Sequence, residues 1–75
     1  MNIGKKEGYY EGYWSNGNLD YRGNFINGKR EGYWEMYHYN GKLWRKGNYL
    51  NGNREGYWEF YSPEGHLGLM EYIIK

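Results

Sequence analysis

Short runs of aromatic and aliphatic residues alternate along this chain with turn-forming residues at regular intervals. Tight turns are predicted at Asn27-Gly28 and Asn51-Gly52, and wider ones end at Gly17, Gly41 and Gly65. Asn-Gly favours the hairpin turn with positive φ at both central positions, and the intervening residues suit a pleated surface. The pattern therefore predicts an all-β protein, an antiparallel meander of consecutive hairpins with about six strands.

Alternation inside the predicted second strand of each hairpin separates two faces. Tyr21, Gly23 and Phe25 should share one face, and Arg22 and Asn24 the other. The same alternation returns one repeat later, where Gly47 takes the place of Gly23. We expect both strand glycines to leave a dent that a neighbouring aromatic ring fills, and we expect the opposite face to be mostly polar and wet.

The predicted first strand of each hairpin is aromatic at adjacent positions, as in Tyr33-Trp34 and Tyr57-Trp58. Adjacent strand residues point to opposite faces. Two interpretations therefore stay open: either both faces bury aromatic rings, or a bulge re-aims one set.

These elements recur with a period of 24 residues, which is typical of a repeat architecture. We place the copies at residues 7–30, 31–54 and 55–75 of a single domain spanning 1–75, and residues 1–6 match the closing turn of a further repeat. The third copy departs from the pattern, because Met70, Glu71 and Tyr72 replace a basic residue, a glycine and an asparagine.

The repeated pattern resembles the MORN repeat, and in particular its bacterial variant form. The residues that carry the resemblance in the second copy are Gly32, Trp34, Tyr37, Asn40, Gly41, Leu43, Tyr49, Asn51 and Gly52. The resemblance implies an elongated, single-layer sheet of stacked β-hairpins. It also implies an interaction scaffold, since members are associated with protein partners, dimerisation and phospholipid head groups, and bacterial variant-repeat proteins are commonly described as antitoxins.

Composition narrows the class of function. The chain has 75 residues and no cysteine, so neither a disulfide nor a cysteine-based zinc site is expected. A net charge of +1 argues against a dedicated nucleic-acid binder and against a basic membrane-surface module. The N-terminal sequence lacks an apolar signal region, so we expect a cytoplasmic protein.

We expect no enzyme, no cofactor and no metal site. The glutamates recur at the repeat period, which indicates a structural ladder more readily than acid–base catalysis. His38 and His66 fall at non-equivalent positions and are expected to be exposed loop histidines without partners. The serines of the wide turns have no triad context.

The predicted function is non-catalytic protein binding by a small stoichiometric inhibitor, antitoxin-like or of a phage counter-defence type. The predicted partner-binding residues break the repeat and are expected to be exposed, and they are Trp14, Tyr39, Trp44, Arg45 and Lys46. One alternative is a nucleotide-sequestering protein that uses stacked aromatic and basic side chains, Tyr21, Arg22, Trp44, Arg45 and Lys46, at an oligomer seam. Another is a structural homo-oligomer or membrane-surface module.

The apolar C-terminal strand leaves two interpretations open. It either folds back over the sheet as a cap or forms the seam of a homodimer. The predicted residues of this edge are Met70, Tyr72, Ile73 and Ile74.

Overall fold

Six antiparallel strands form one open sheet in the computed structural model, which describes residues 4–74. Residues 1–3 of the predicted leading turn, and Lys75, lie outside the described residues. The strands follow sequence order as β1 (Gly8–Tyr13), β2 (Leu19–Ile26), β3 (Lys29–Tyr37), β4 (Leu43–Leu50), β5 (Asn53–Tyr61) and β6 (Leu67–Ile73). Principal extents of 43 × 35 × 11 Å confirm the predicted single-layer meander.

Both kinds of turn have the geometry that their residues favour. Asn27 and Gly28 adopt φ of 54° and 80°, and Asn51 and Gly52 adopt 53° and 88°, as the predicted tight turn requires. In the first wide turn the Gly17 N–H donates to the Trp14 carbonyl at 2.9 Å. The tight turns therefore have the backbone conformation that their Asn-Gly sequences favour.

Successive hairpins are tied together at the tight turns by the repeated glutamates. The Asn27 N–H donates to Glu7 Oε1 at 2.7 Å, and the Asn51 N–H donates to Glu31 Oε1 at 2.8 Å. Each carboxylate thus satisfies a turn amide that the ladder leaves without a partner. These glutamates have the structural role that their periodicity predicted.

The core is a row of aromatic rings on one side of the sheet, here called the core face. Trp34 and Trp58 are completely buried, and Met36 and Tyr49 nearly so. A Cβ added to Gly23 would lie 2.2 Å from Cδ2 of Trp34, and Gly47 stands in the same relation to Trp58. The predicted dents exist, and each is filled by an indole.

The tyrosines that precede the tryptophans line the other side, here called the tyrosine–glutamate face. Tyr33 pairs with Asn48 across the β3–β4 ladder, while Trp34 pairs with Gly47. Tyr33 and Tyr57 remain 50% and 46% exposed. Tyr33 and Trp34 therefore point to opposite faces, and the buried rings lie on the core face. Each of the five ladders also contains a register shift, as between Met36 and Tyr37. The neighbouring Arg22 and Asn24 are exposed, as expected for a wet face.

The C-terminal strand does not fold back as a cap. β6 pairs with β5 in an ordinary antiparallel ladder that runs from Gly56↔Ile73 to Tyr61↔Leu67. Its residues Leu67 to Tyr72 are all exposed. The cap interpretation is therefore wrong, because the apolar side chains of β6 stay at the open edge of the sheet.

Candidate interaction surfaces

Three identical side-chain triads occupy the tyrosine–glutamate face, one on each odd-numbered strand. In the central triad Glu35 accepts hydrogen bonds from the hydroxyls of Tyr33 and Tyr37 at 2.7 and 2.6 Å. Glu11 accepts from Tyr9 and Tyr13 at 2.7 and 2.5 Å, and Glu59 accepts from Tyr57 and Tyr61 at 2.9 and 2.6 Å. The exposed rings are therefore fixed in place by their polar ends.

These hydrogen bonds hold the triads in one protonation state around neutral pH. Burial would raise the pKa of Glu35, but hydrogen bonds from Tyr37, Tyr33 and Arg22 outweigh it and hold that pKa below its ordinary value. Burial, together with the Glu35 hydrogen bond, raises the pKa of Tyr37 to about 12. The carboxylate stays ionised and the phenols stay neutral, which is the arrangement of a rigid surface.

Two shallow grooves run between the tyrosine rows. One of about 300 Å³ lies between Tyr33 and Tyr57 over the β4 backbone, with Lys46 and Glu59 at its side. The other, of about 350 Å³, lies between Tyr9 and Tyr33 over β2. The glycines that accept indoles on the core face, Gly47 and Gly23, also line these grooves.

The core face carries cations above its rings. The guanidinium carbon of Arg30 lies 5.1 Å from the Trp34 ring centroid and 5.4 Å from that of Tyr49. Arg54 covers Trp58 at 5.6 Å, and Lys6 Nζ lies 5.0 Å from the Phe25 centroid. These contacts are cation–π interactions, and they shield the single-layer core from water.

The predicted site residues Trp14 and Tyr39 lie together at the wide-turn end of the sheet. Their rings meet at 5.7 Å in an edge-to-face contact. Trp14 is half-buried, not exposed as predicted, and its indole N–H donates to the Tyr37 carbonyl at 3.2 Å. Tyr39 is 54% exposed. Part of this pair therefore has a structural role.

The repeat equivalent of Trp14 is His38, and its predicted lack of partners is wrong. His38 is half-buried and its Nε2 lies 2.8 Å from the Tyr61 carbonyl oxygen. A carbonyl only accepts, so Nε2 carries the proton. An imidazole and an indole fill equivalent positions because both can offer a ring N–H to the next wide turn. His66 is exposed as expected.

Trp44 and Arg45 form a stacked pair near the same end. The Arg45 guanidinium carbon lies 4.3 Å from the Trp44 ring centroid, and Trp44 is 39% exposed. Arg45 is only partly exposed, and its buried Nε has no hydrogen-bond partner within residues 4–74. Burial lowers the pKa of Arg45, with the charges of Arg54 and Arg30 adding to that effect.

Lys46 is separated from the other predicted partner residues. It lies on the tyrosine–glutamate face, where its Nζ is 3.5 Å from Glu59 Oε1. Arg22 is on that face too, paired with Glu35 at 2.6 Å, whereas Tyr21 packs against the core. The basic and aromatic residues predicted for a nucleotide site are thus divided between two faces and form no common pocket.

The predicted edge residues are contiguous but not equivalent. Met70, Tyr72 and Ile74 are 59%, 70% and 86% exposed. Ile73 instead points to the core face and packs on the Trp58 cluster. The exposed apolar surface of β6 therefore consists of Met70, Tyr72 and Ile74 together with Leu67 and Leu69.

Sequence reasoning missed two features of these surfaces. The tyrosine–glutamate triads were signalled by the spacing of two residues on each side of Glu11, Glu35 and Glu59. The cation row was signalled by basic residues at positions 6, 30 and 54, one per repeat period.

Residues 4–74 contain no cluster of three or more histidine, cysteine or acidic side chains that could hold a metal ion. Over the same range no helix is long and apolar enough to cross a membrane.

A single sheet of tied hairpins with large exposed faces defines a repeat-based binding module. The model of the MORN repeat variant matches residues 6–27 and 30–51. The chain belongs to the MORN repeat variant family. No curated protein sequence and no solved structure matches it.

Proposed function

We propose that this protein is a non-catalytic protein-binding module that inhibits a cytoplasmic partner by stoichiometric docking, in the manner of an antitoxin or a phage counter-defence protein. The observation that carries the proposal is the apolar edge strand β6. A small non-catalytic module acts by covering a surface of its target, and an exposed apolar edge strand can make such a contact.

Strand β6 offers both backbone and side chains to a partner. It pairs only with β5 among the described strands, so its outer backbone groups are free to extend the sheet. Leu69 is 55% exposed, Met70 59% and Tyr72 70%. Addition of a partner strand would use main-chain hydrogen bonds for affinity and these side chains for selectivity.

The opposite edge of the sheet supports this assignment by contrast. On β1 the exposed aromatic side chains are Tyr9 and Tyr13, and both donate their hydroxyls to the exposed Glu11. A charged, hydrogen-bonded edge discourages strand addition. The apolar character of β6 is therefore a property of that strand and not of edges in this protein generally.

We infer that residues 55–75 are a third, modified copy of the repeat. The pairs Trp58↔Glu71 and Tyr57↔Tyr72 have the register of Trp34↔Gly47 and Tyr33↔Asn48 one repeat earlier. The third hairpin thus keeps the register of the second, while the side chains of its last strand differ. Replacement of polar residues by Met70 and Tyr72 would convert a repeat strand into a docking strand.

The state of the carboxylates supports a non-catalytic role. Glu11, Glu35 and Glu59 each accept two tyrosine hydroxyls, and their pKa values lie below the ordinary range for glutamate. A general acid or base at neutral pH needs a pKa closer to the working pH.

Native mass spectrometry of the protein purified gently from its own host tests the proposal. The wild type is expected to carry one protein partner per chain. A Met70→Lys/Tyr72→Lys variant is expected to lose it, since charge on an edge strand opposes strand addition. The matched control, Tyr9→Lys/Tyr13→Lys, changes two tyrosine–glutamate face residues on the other edge and is expected to retain the partner.

Three outcomes would contradict the proposal. A bare wild-type monomer would show no docking. Retention of the partner by the β6 variant would move the docking surface elsewhere. Integer multiples of the chain alone, abolished by the β6 variant, would make a second copy the occupant of this edge and establish a structural homo-oligomer.

A further inference from the structure

One cation per hairpin lies along the tight-turn border of the core face. Lys6 covers Tyr10 and Phe25, Arg30 covers Trp34 and Tyr49, and Arg54 covers Trp58 and Phe60, all with the cation 5.0–5.9 Å from the ring centroids. The three cations follow the 24-residue period. They form a regular row, here called the cation row, because each is placed by the same packing.

The cation row is poorly neutralised. Within residues 4–74 neither Lys6 nor Arg30 has a carboxylate within ion-pair distance. Arg54 lies 3.5 Å from Glu71, and both side chains are more than a third exposed. An exposed pair at that distance contributes little. The row therefore keeps most of its positive charge.

Charge is segregated between the two faces. Arg45 adds a fourth cation to the core face, since it pairs with Met36 and Phe60. The ladder positions of the other face hold five carboxylates and two cations. Glu11, Glu35 and Glu59 are paired with Arg22 or Lys46, while Glu31 and Glu55 are paired with Asn24 and Asn48. A net charge of +1 thus conceals one cationic and one anionic face.

A groove extends the cation row at its first member. It has a volume of about 510 Å³ and is lined by Lys5, Lys6, Lys29, Phe25 and the Asn27-Gly28 turn. Three lysines and one ring line it without any carboxylate. The adjacent Glu7 carboxylate accepts the Asn27 N–H at 2.7 Å. An anionic group can enter this groove from solvent.

The spacing of the row selects the shape of an anionic partner. Arg30 lies on β3, Arg54 on β5 and Lys6 just before β1, so the cations are two strands apart and repeat about every 9.6 Å across the sheet. A peptide extended in the polyproline II conformation advances about 9.3 Å in three residues and brings every third side chain back to the same side. We propose that the cation row binds an extended acidic segment of the partner protein, with a carboxylate at about every third residue. This inference rests on the proposed protein-binding function and names the chemistry of its partner.

Nucleic acid fits this face less well than an acidic peptide does. Binding of single strands depends on bases stacking on exposed aromatic rings. Here Trp34 and Trp58 are 0% exposed and Tyr49 is 6% exposed, with guanidinium groups above them. The charges are accessible while the largest rings are closed, which favours carboxylates on a flexible backbone.

Calorimetric titration with three synthetic peptides tests the inference. The probe has glutamate at every third residue, the second peptide has the same composition with its glutamates adjacent, and the third has lysine in place of glutamate. The spaced acidic peptide is expected to bind most tightly, with an affinity that falls as salt is raised. The lysine peptide is expected not to bind.

Matched variants separate the cation row from general charge effects. Lys6→Gln/Arg30→Gln is expected to bind the spaced peptide about tenfold more weakly. Arg22→Gln/Lys46→Gln removes the same net charge from the other face and is expected to bind like the wild type. Lys6→Arg/Arg30→Lys keeps both charges and is expected to retain binding, which assigns the loss to the missing charges, and circular dichroism of the glutamine variant checks that it is folded.

Several results would overturn the inference. One is equal affinity for the two acidic peptides. Another is an equal loss of affinity for the spaced peptide in the two glutamine variants. A third is tighter binding of single-stranded DNA or of anionic phosphatidylserine vesicles than of the spaced peptide. Absence of peptide binding, with the native partner complex intact and dependent on β6, would refute this inference alone. Peptide binding without any native partner would instead refute the proposed function.

Discussion

The two faces of this sheet use adjacent aromatic residues in opposite ways. Trp34 and Trp58 are completely buried, while their neighbours Tyr33 and Tyr57 are about half exposed. All four lie on strands of the same sheet, in the same ladders. The difference shows that a high aromatic content does not measure the size of a core, because half of these rings serve a surface.

What each ring packs against decides whether it is buried. Trp34 lies on Gly23 and Trp58 lies on Gly47, where the missing side chain lets the ring rest directly on the backbone, whereas Tyr33 points to the other face beside Asn48. The core then closes through edge-to-face contacts, such as that between Tyr49 and Trp58 at 5.1 Å and 89°. Such pairs contribute stability beyond the area they bury. The tyrosines instead obtain their order from hydrogen bonds to glutamate.

The largest expected effect comes from truncating the two kinds of ring on one strand. Trp58→Ala should cost about 3–5 kcal/mol of unfolding free energy, because a fully buried ring leaves a cavity. A domain this small has little stability to lose, so the variant is expected to be largely unfolded. Tyr57→Ala should cost about 1 kcal/mol. Urea unfolding followed by circular dichroism measures both.

Comparable costs for these two substitutions would remove the distinction between the faces. Such a result would mean that the tyrosine–glutamate face contributes as much to stability as the core face. A Tyr57→Phe variant then separates the ring from its hydroxyl, which donates to Glu59 at 2.9 Å.

The next effect concerns the glycine that accommodates the indole. A Cβ at Gly47 would lie 2.2 Å from Cδ2 of Trp58, and that ring is fully buried and has no room to move away. Gly47→Ala should therefore cost about 3 kcal/mol through overpacking. Gly68→Ala is the control, because its Cβ would meet nothing nearer than the Phe60 carbonyl oxygen at 3.7 Å. Thermal unfolding of both variants gives the comparison.

Gly68→Ala should leave stability unchanged or raise it slightly, since alanine has less conformational freedom to lose than glycine. Equal unfolding temperatures for Gly47→Ala and Gly68→Ala would contradict this prediction. They would mean that the tryptophans are not buried by close packing of the indole on the backbone.

Local chemistry made the fold predictable. Asn27-Gly28 and Asn51-Gly52 specify a turn type, and that turn fixes the register of each hairpin. The strand glycines Gly23 and Gly47 signalled ring packing because a glycine inside a strand needs a reason. The family resemblance and the single layer were consistent with these signals, so six strands in sequence order could be predicted without coordinates.

The surfaces were less predictable because they depend on how strands align. Arg45 and Lys46 are adjacent in sequence, yet one faces the core and the other pairs with Glu59. Variation between repeats suggested that Trp14 was free for a partner. Its indole N–H instead makes a structural contact with a backbone carbonyl, as the imidazole of His38 does one repeat later. Composition alone also could not show that opposite charges are sorted onto opposite faces.

A smaller effect distinguishes the faces by pH. Hydrogen bonds and Arg22 lower the pKa of Glu35 in the folded state against the opposing effect of burial. A lowered pKa stabilises the fold above the unfolded-state value of 4.5, and this contribution is lost as pH falls through the folded pKa. Glu35→Gln should cost about 1 kcal/mol at pH 7 and should lose less stability than the wild type on acidification.

Urea unfolding at pH 7 and at low pH measures this difference. The matched control is Glu64→Gln, since Glu64 is exposed beside the third wide turn and belongs to no triad. An acid-induced loss of stability that is the same in wild type and Glu35→Gln would show that the central triad does not contribute to the pH dependence.

The smallest expected effect concerns the ion pairs that join neighbouring triads to the even-numbered strands. Lys46 Nζ lies 3.5 Å from Glu59 Oε1, and the lysine side chain is 37% exposed, so Lys46→Met should change stability by less than about 0.5 kcal/mol. Arg22→Met is the comparison, because its pair with Glu35 is 2.6 Å long and that carboxylate is only 14% exposed. We expect the Arg22 variant to lose about 1 kcal/mol of unfolding free energy, measured by urea unfolding at low and high salt.

The contradicting outcome is a loss of stability in Lys46→Met as large as that in Arg22→Met and equally sensitive to salt. It would mean that the tyrosine–glutamate face behaves as one continuous charge network, in which no triad can be altered without weakening the next.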